Sequence, residues 1–230
     1  MATNVKLTNG TPRSSLTEEA YQQLKKEILE NRMVPGFQAF ESELAARLDM
    51  SWTPVREAVI RLQEEGLVEI IPRRGIRILP LSPEDMQEIY VVLTCVESEA
   101  AALIARQSPS REELEPLTCA TDDMEQALER NDLESWAEAD DRYHKELLGL
   151  CHNKRLVATA LNYLDQAKRA RMFTLRLRKY PVESTQDHKE QVEAILLGDA
   201  DKIRDSYRKH RERAATELLE ILEKFKIHNI

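Results

Sequence analysis

The segment "EADDRYHKELLGL" places Asp140 and His144 four residues apart, a spacing that puts a carboxylate and an imidazole on one face of one helix. His188, at the head of the helical stretch "STQDHKEQVEAIL", and His210, within "DSYRKHRERAATEL", bring two more imidazoles from two further helices. Any one of these histidines alone reads as a hydrogen-bonded or exposed ring. Together they read differently, because helical bundles gather metal ligands from facing helices. One carboxylate and three imidazoles form an N/O set suited to a divalent ion such as Zn, Ni or Mn, with positions left for water or a small ligand. His152 and His228 are read as surface residues.

A second stretch, "DMSWTPVREAVIRLQEEGLV" at 49–68, carries a different chemistry. Ser51 as N-cap with Pro54 in the first turn marks a helix beginning, and Gly66 supplies the stop. Val55, Val59 and Leu62 form a buried stripe, while Arg56 and Arg61 lie off it. The preceding "ESELAARLDM" is a second helix, and the tight "LDMS" turn between them makes a helix-turn-helix. After Gly66, "LVEIIPRRGIRIL" is a hairpin with a basic tip, which makes the motif winged. In that geometry the first turn of the second helix enters the major groove, presenting Ser51, Trp52, Thr53 and Arg56 to base edges and phosphates. Arg73 and Arg74 at the wing tip reach a phosphate or the minor groove, and Gly75 permits close backbone approach. Trp52 either packs on the neighbouring helix or makes a stacking or methyl contact in the groove; the sequence leaves both open.

Elements to hold these residues are legible around them. Residues 1–15 are a polar arm without periodicity. The stretch "SLTEEAYQQLKKEILENRMVPG" is a helix with Leu16, Ala20, Leu24 and Ile28 on one face, a Thr17 cap and a Pro35-Gly36 turn, so three helices and a β-hairpin fill residues 16–79. "PLSP" at 80–83 is a hinge. Residues 84–226 read as an all-helical bundle, with helices over roughly 84–107, 110–130, 132–152, 154–179, 184–197 and 200–226. The last shows Ile203, Tyr207, Ala214, Leu218, Ile221, Leu222 and Phe225 on or near one face. The fold class expected is mainly α, with two domains.

Composition narrows the function classes. The chain of 230 residues carries a net charge of −8, and all of it lies beyond residue 80, because residues 1–80 hold equal numbers of basic and acidic side chains. An acidic protein of this kind is no general polyanion binder, so nucleic-acid contact must come from a locally basic surface. No apolar run is long enough for a membrane span, and the N-terminus lacks the apolar core of a signal peptide, so no membrane partner and a cytoplasmic location are expected. Cys95, Cys119 and Cys151 are too widely spaced for a Cys-x-x-Cys site and are read as buried free thiols.

Tyr21, Pro35-Gly36, "ELA" at 43–45, "TPVREA" at 53–58 and "EGLV" at 65–68 occur in an order that closely resembles the DNA-binding domain of GntR-family bacterial transcription regulators, from Tyr21 to about Ile78. The resemblance implies operator binding and adds Ser42, in the turn before "ELA", to the DNA-facing positions. The family commonly has arginine where this chain has Trp52, and often a basic residue where it has Ser42, which implies fewer charged contacts. Beyond the hinge, Asp140-x3-His144, then Asn153, then His188 ahead of "AILLGDA", then His210 resembles the FadR-type C-terminal ligand-binding domain, known as FCD, over about 84–226. That resemblance implies a divalent ion on Asp140, His144, His188 and His210, with a small carboxylate bound at or beside it. Such domains frequently carry an arginine four residues before the first helix's glutamate; here Leu93 precedes Glu97. Arg169 and Arg171 in "AKRARMF" are the basic residues that could replace it, with solvated helix charges as the plain alternative.

These features imply a homodimeric transcription regulator, expected to be a repressor, that binds a pseudo-palindromic double-stranded operator under control of a small organic-acid effector. An open metal position can also activate water, so a metal-dependent enzyme fused to a DNA-binding domain is the rival reading, and a purely structural metal is another. No general base, nucleophile motif or glycine-rich phosphate loop accompanies the histidines, so the chain is read as a regulator and not an enzyme.

Overall fold

The computed structural model describes residues 13–228. The chain is mostly helical and divides into two compact units at Leu79–Pro80, with Leu29–Asn31 grouped with the second. Of the polar arm expected over 1–15, residues 1–12 lie outside the described residues. Helix α1 (Arg13–Leu29) begins at Arg13 rather than Leu16. Thr17 is therefore inside it and does not cap it; its hydroxyl donates to Glu57 at 2.7 Å.

In the first unit, α1 is followed by β1 (Gln38–Ala39), α2 (Glu41–Arg47), α3 (Trp52–Glu64), β2 (Val68–Ile71) and β3 (Gly75–Ile78). Asp49 turns the chain between α2 and α3 with a left-handed φ of 52°, a conformation that Asp tolerates better than most residues. Pro54, Val55, Ala58, Val59 and Leu62 form the buried face of α3. Gly66, at φ 71°, ends the helix and leads into the hairpin. β1 pairs with β3, so the wing is a three-stranded antiparallel sheet in the order β1-β3-β2, with Ala39 opposite Ile76 and Ile70 opposite Ile76 on the other side. A strand of two residues has no period to read, which is why the sequence shows only the hairpin.

The second unit contains α4 (Pro83–Arg106), α5 (Glu115–Glu129), α6 (Leu133–Leu150), α7 (Lys154–Thr174), a 3-10 turn (Leu175–Leu177), α8 (Val182–Leu196) and α9 (Ala200–Lys224). α4 packs along α9 and α7, while α5 packs on α6 and α8. Two of the expected helices are shorter than the periodicity suggests: α5 starts at Glu115, and α7 gives way to the 3-10 turn after Thr174. The expected hinge ends in a helix start, because the Ser82 hydroxyl accepts from the Asp85 amide and Asp85 accepts from the Ser82 amide, with Pro83 in the first turn. The Asn153 carboxamide accepts from the amides of Arg155 and Leu156, so this residue caps α7. Ile203, Tyr207, Leu218, Ile221 and Leu222 of α9 are buried as read, whereas Phe225 is exposed. The cysteines are free, yet Cys95 and Cys119 are exposed and only Cys151 is buried, because the first two lie off the apolar stripes of α4 and α5. Among the described residues no helix is long and apolar enough to cross a membrane.

Candidate functional site

His144 on α6, His188 on α8 and His210 on α9 converge inside the second unit, each offering a ring nitrogen within 4.8 Å of the others. All three are buried, as is Asp140. Trp136 ties two of the supporting helices together, its indole N–H donating to the Thr185 hydroxyl at 2.9 Å. Tyr143 packs its ring on His188, centroids 4.1 Å apart.

An oxygen faces Nδ1 of every one of these rings. Gln191 Oε1 lies 3.0 Å from Nδ1 of His188, Asp187 Oδ2 lies 2.9 Å from Nδ1 of His210, and His144 Nδ1 lies 2.7 Å from the Tyr207 hydroxyl and 3.2 Å from Glu97 Oε1. Acceptors at Nδ1 hold the proton there and leave the Nε2 lone pair free, the arrangement that fixes a metal-ligating imidazole. Asp140 Oδ1 then lies 3.2 Å from His188 Nε2 and 3.7 Å from His144 Nε2. The Nε2 atoms of both rings thus face one carboxylate oxygen, an arrangement in which a bound cation would be shared by all three. Ligand atoms around an ion at about 2.0–2.1 Å are separated by roughly 3.0–3.4 Å, so these spacings are close to the edges of a coordination sphere. The donor set fits a divalent ion.

Protonation states agree with this. Burial pushes His188 below the usual imidazole range against the pull of Asp140, and burial reinforced by the His188 ring takes His210 down to about 3, so both rings are neutral near pH 7. Burial would raise Asp140, but His144 and Arg171 outweigh it and hold the carboxyl well below its ordinary range.

A second layer of buried charge surrounds the triad. Glu97 on α4 is fully buried and forms an ion pair with Arg211 of α9; burial would raise its carboxyl, yet Arg211 and His144 bring it to about 2. Arg171 places Nε 3.4 Å from Asp140 Oδ2. Arg169 and Arg171 are both buried, so the reading of them as solvated helix charges is overturned, although two residues apart they lie on different faces of α7. Of the two, Arg171 is the one that reaches Asp140. Among the described residues several buried polar atoms here find no hydrogen-bond partner: the Tyr90 hydroxyl, Gln191 Nε2, Arg171 Nη1 and Arg211 Nε. Unsatisfied buried groups of this kind cost about 1–3 kcal/mol each and mark a place built for something polar. A cleft of 290 Å³ lined by Trp136, Arg178, Tyr180, Ser184 and Arg213 reaches His210. Sequence reading missed Arg211, Tyr207, Tyr90, Gln191 and Asp187. One signal was available for Glu97 and its partner: Tyr90, Leu93, Glu97, Ala100, Ala101 and Ile104 share one apolar stripe, and a carboxylate within such a stripe requires a buried cation.

In the first unit Ser42, Ser51, Trp52, Thr53, Arg56, Arg73 and Arg74 are all exposed. Ser51 occupies the N-cap position of α3, but its hydroxyl makes no capping bond there. Trp52 is 45% exposed, and the guanidinium of Arg56 on the same helix lies over its ring at 4.7 Å. Gly75 has a reason internal to the wing: at φ 83°, an added Cβ would lie 2.2 Å from the Ala39 carbonyl oxygen. The close approach it permits within the fold is that of β1. Charge pairing divides the arginines. Arg47 pairs with Glu27, Arg61 with Glu18 and Arg77 with Glu69, whereas among the described residues no carboxylate pairs with Arg56, Arg73 or Arg74. Those three guanidiniums are free for phosphate and base edges.

Comparison with known proteins agrees with both halves. Residues 16–78 match the family described as bacterial regulatory proteins, gntR family, and residues 88–213 match the FCD domain. An HTH-type transcriptional regulator from the TAR-I ttuE-ttuC' intergenic region of Agrobacterium vitis is 48% identical over 131 residues, covering 56% of this chain and 77% of that one. The HTH-type transcriptional repressor RspR of Escherichia coli K12 is 24% identical over 213 residues, covering 91% of this chain and 92% of its own. The structure of Escherichia coli McbR/YncC superposes with a TM-score of 0.78 at 19% identity, covering 89% of this chain and 97% of that one, a likeness of fold. With its winged helix and its FCD bundle, the chain belongs to the GntR family of DNA-binding bacterial transcription regulators.

Proposed function

We propose that this regulator is a homodimeric repressor whose operator binding is controlled by a small organic acid bound at or beside a divalent ion on Asp140, His144, His188 and His210. The observation that supports it is the convergence of three buried imidazoles, each with an oxygen at Nδ1, beside two buried guanidiniums with N–H groups that find no partner among the described residues. An ion held there is a Lewis acid with open positions. Arg171 and Arg211 orient an anionic ligand through those N–H groups, and the Tyr90 hydroxyl and Gln191 amide supply further hydrogen bonds. The acid controls operator affinity only through a difference in its affinity for DNA-competent and DNA-incompetent states, whichever state it favours. The assignment as a repressor follows the similarity to RspR, itself a repressor. One α3 covers a half-site, so two copies on a pseudo-palindrome account for tight binding. The DNA face consists of Ser42, Ser51, Trp52, Thr53, Arg56, Arg73, Arg74 and Gly75.

A thermal-shift screen of small organic acids on metal-loaded protein tests this, because a ligand that binds only the native state must raise stability. Acids that stabilise the wild type and also change its affinity for operator DNA are expected, with both effects lost in Arg171→Met. Stabilisation without any change in DNA affinity would separate ligand binding from control. No stabilisation by any acid would overturn the effector assignment.

A further inference from the structure

Two arginines of α3 stack on aromatic rings, and they do so to opposite ends. Arg61 lies over Tyr21 at 3.7 Å and is neutralised by Glu18 at 2.7 Å, so that stack joins α3 to α1 within the fold. Arg56 lies over Trp52 at 4.7 Å, yet no carboxylate takes its charge among the described residues, and Trp52 remains 45% exposed. The i,i+4 spacing produces the second stack, since side chains on a helix lean toward its N-terminus and Arg56 therefore covers the turn that carries Trp52. Stacking uses the face of the guanidinium. Its edge, with the terminal N–H groups, stays available for the two parallel hydrogen bonds that match O6 and N7 of guanine.

From this pair we infer that Trp52 and Arg56 form one composite base reader, in which the indole holds the guanidinium edge-on to a guanine and itself covers the C5 methyl of an adjacent thymine in the same half-site. The inference rests on the reading that the first turn of α3 enters the major groove. In that groove the apolar feature of the base edges is the thymine methyl, and an exposed indole in the reading turn has it as its natural contact. The stack also removes rotamer freedom from Arg56 before binding, so less is lost on forming the bidentate contact.

The test uses the full-length protein. A random duplex library is enriched for sequences bound by wild type, and each thymine of the selected half-site is then replaced in turn by deoxyuridine, which removes only the C5 methyl. Wild type is expected to select a guanine with a neighbouring thymine. It should lose about fourfold in affinity when that one methyl is removed, the value of burying a single carbon. Trp52→Ala should bind the thymine and uracil duplexes equally, and Arg56→Ala should lose preference for the guanine by roughly 5- to 150-fold. Trp52→Arg, which keeps an exposed side chain at the position, should lose the methyl dependence while steepening the salt dependence by about one unit. Wild type indifferent to every methyl, or the same fourfold loss persisting in Trp52→Ala or Trp52→Arg, would overturn the composite reader while leaving α3 as the recognition helix. A library with no enriched sequence would overturn both.

Discussion

Arg56 and Arg211 carry the same guanidinium into opposite surroundings. Arg56 stands in water on α3 with an aromatic neighbour and, among the described residues, no counter-charge, while Arg211 is fully buried in the second unit against Glu97. The first arrangement costs the fold almost nothing and leaves the charge unsatisfied until a polyanion arrives. The second takes two ions out of water and depends on their mutual attraction, so the unit tolerates the pair but not the loss of one member. The DNA-facing unit keeps its chemistry at the surface; the bundle invests part of its core in polar groups that do not all find partners.

That contrast can be broken most sharply by unfolding measurements. Arg211→Ala strands the Glu97 carboxylate and should destabilise the second unit by about 3–5 kcal/mol, with the double replacement Glu97→Leu/Arg211→Leu recovering much of the loss. Arg56→Ala should change stability by less than about 0.5 kcal/mol. Urea denaturation of the variants checks both, and equal losses would contradict the assignment of opposite environments.

Acid provides the next test. His210 titrates at about 3 in the fold against an ordinary 6.5, so the unfolded chain takes up a proton that the folded state refuses. Its contribution is complete above 6.5 and declines as pH falls toward 3. Glu97, at about 2 against 4.5, contributes above 4.5 and loses that contribution as pH falls through 4.5 toward 2. The metal-free bundle should therefore weaken steadily as pH drops below 6.5. Residues 1–80 contain no histidine, so the winged helix should be insensitive between about pH 7 and 5, a separation visible in near-UV signals from Trp136 and Trp52. A common acid transition in both units would contradict it. Because the bundle suppresses protonation of His188 and His210, metal retention should persist well below 6.5, lower than unperturbed imidazoles would allow.

Smaller effects belong to the DNA face. Arg56→Ala should weaken operator binding by about 1–3 kcal/mol through lost base readout, and Arg74→Ala should reduce the salt slope by about one unit with equal loss on operator and random DNA. A selective loss for Arg74→Ala would show that the wing reads bases.

How much of this was legible in the sequence follows from where each residue sits. Pro54, Gly66 and the valine stripe of α3 announce their roles locally, because caps, stops and helical periods are properties of short segments. The gathering of His144, His188 and His210 beside Asp140 could be read because a pair at i,i+4 and two further histidines lie on separable helices. Arg211 could not be read in the same way: adjacent to His210 within "RKHRER", it looks like one more solvated charge, and only the packing of α9 against α4 turns it toward Glu97. The Trp52–Arg56 stack needed coordinates too, since spacing permits the contact but does not choose the rotamers.

The account stands most directly on whether the three histidines and Asp140 hold an ion. Elemental analysis of protein purified without a histidine tag, incubated with Zn, Ni or Mn and desalted, should find a stoichiometric metal in wild type and a sharp fall in His188→Ala and His210→Ala, both still folded by circular dichroism. Wild-type protein that retains no metal would show that these side chains are not a metal site.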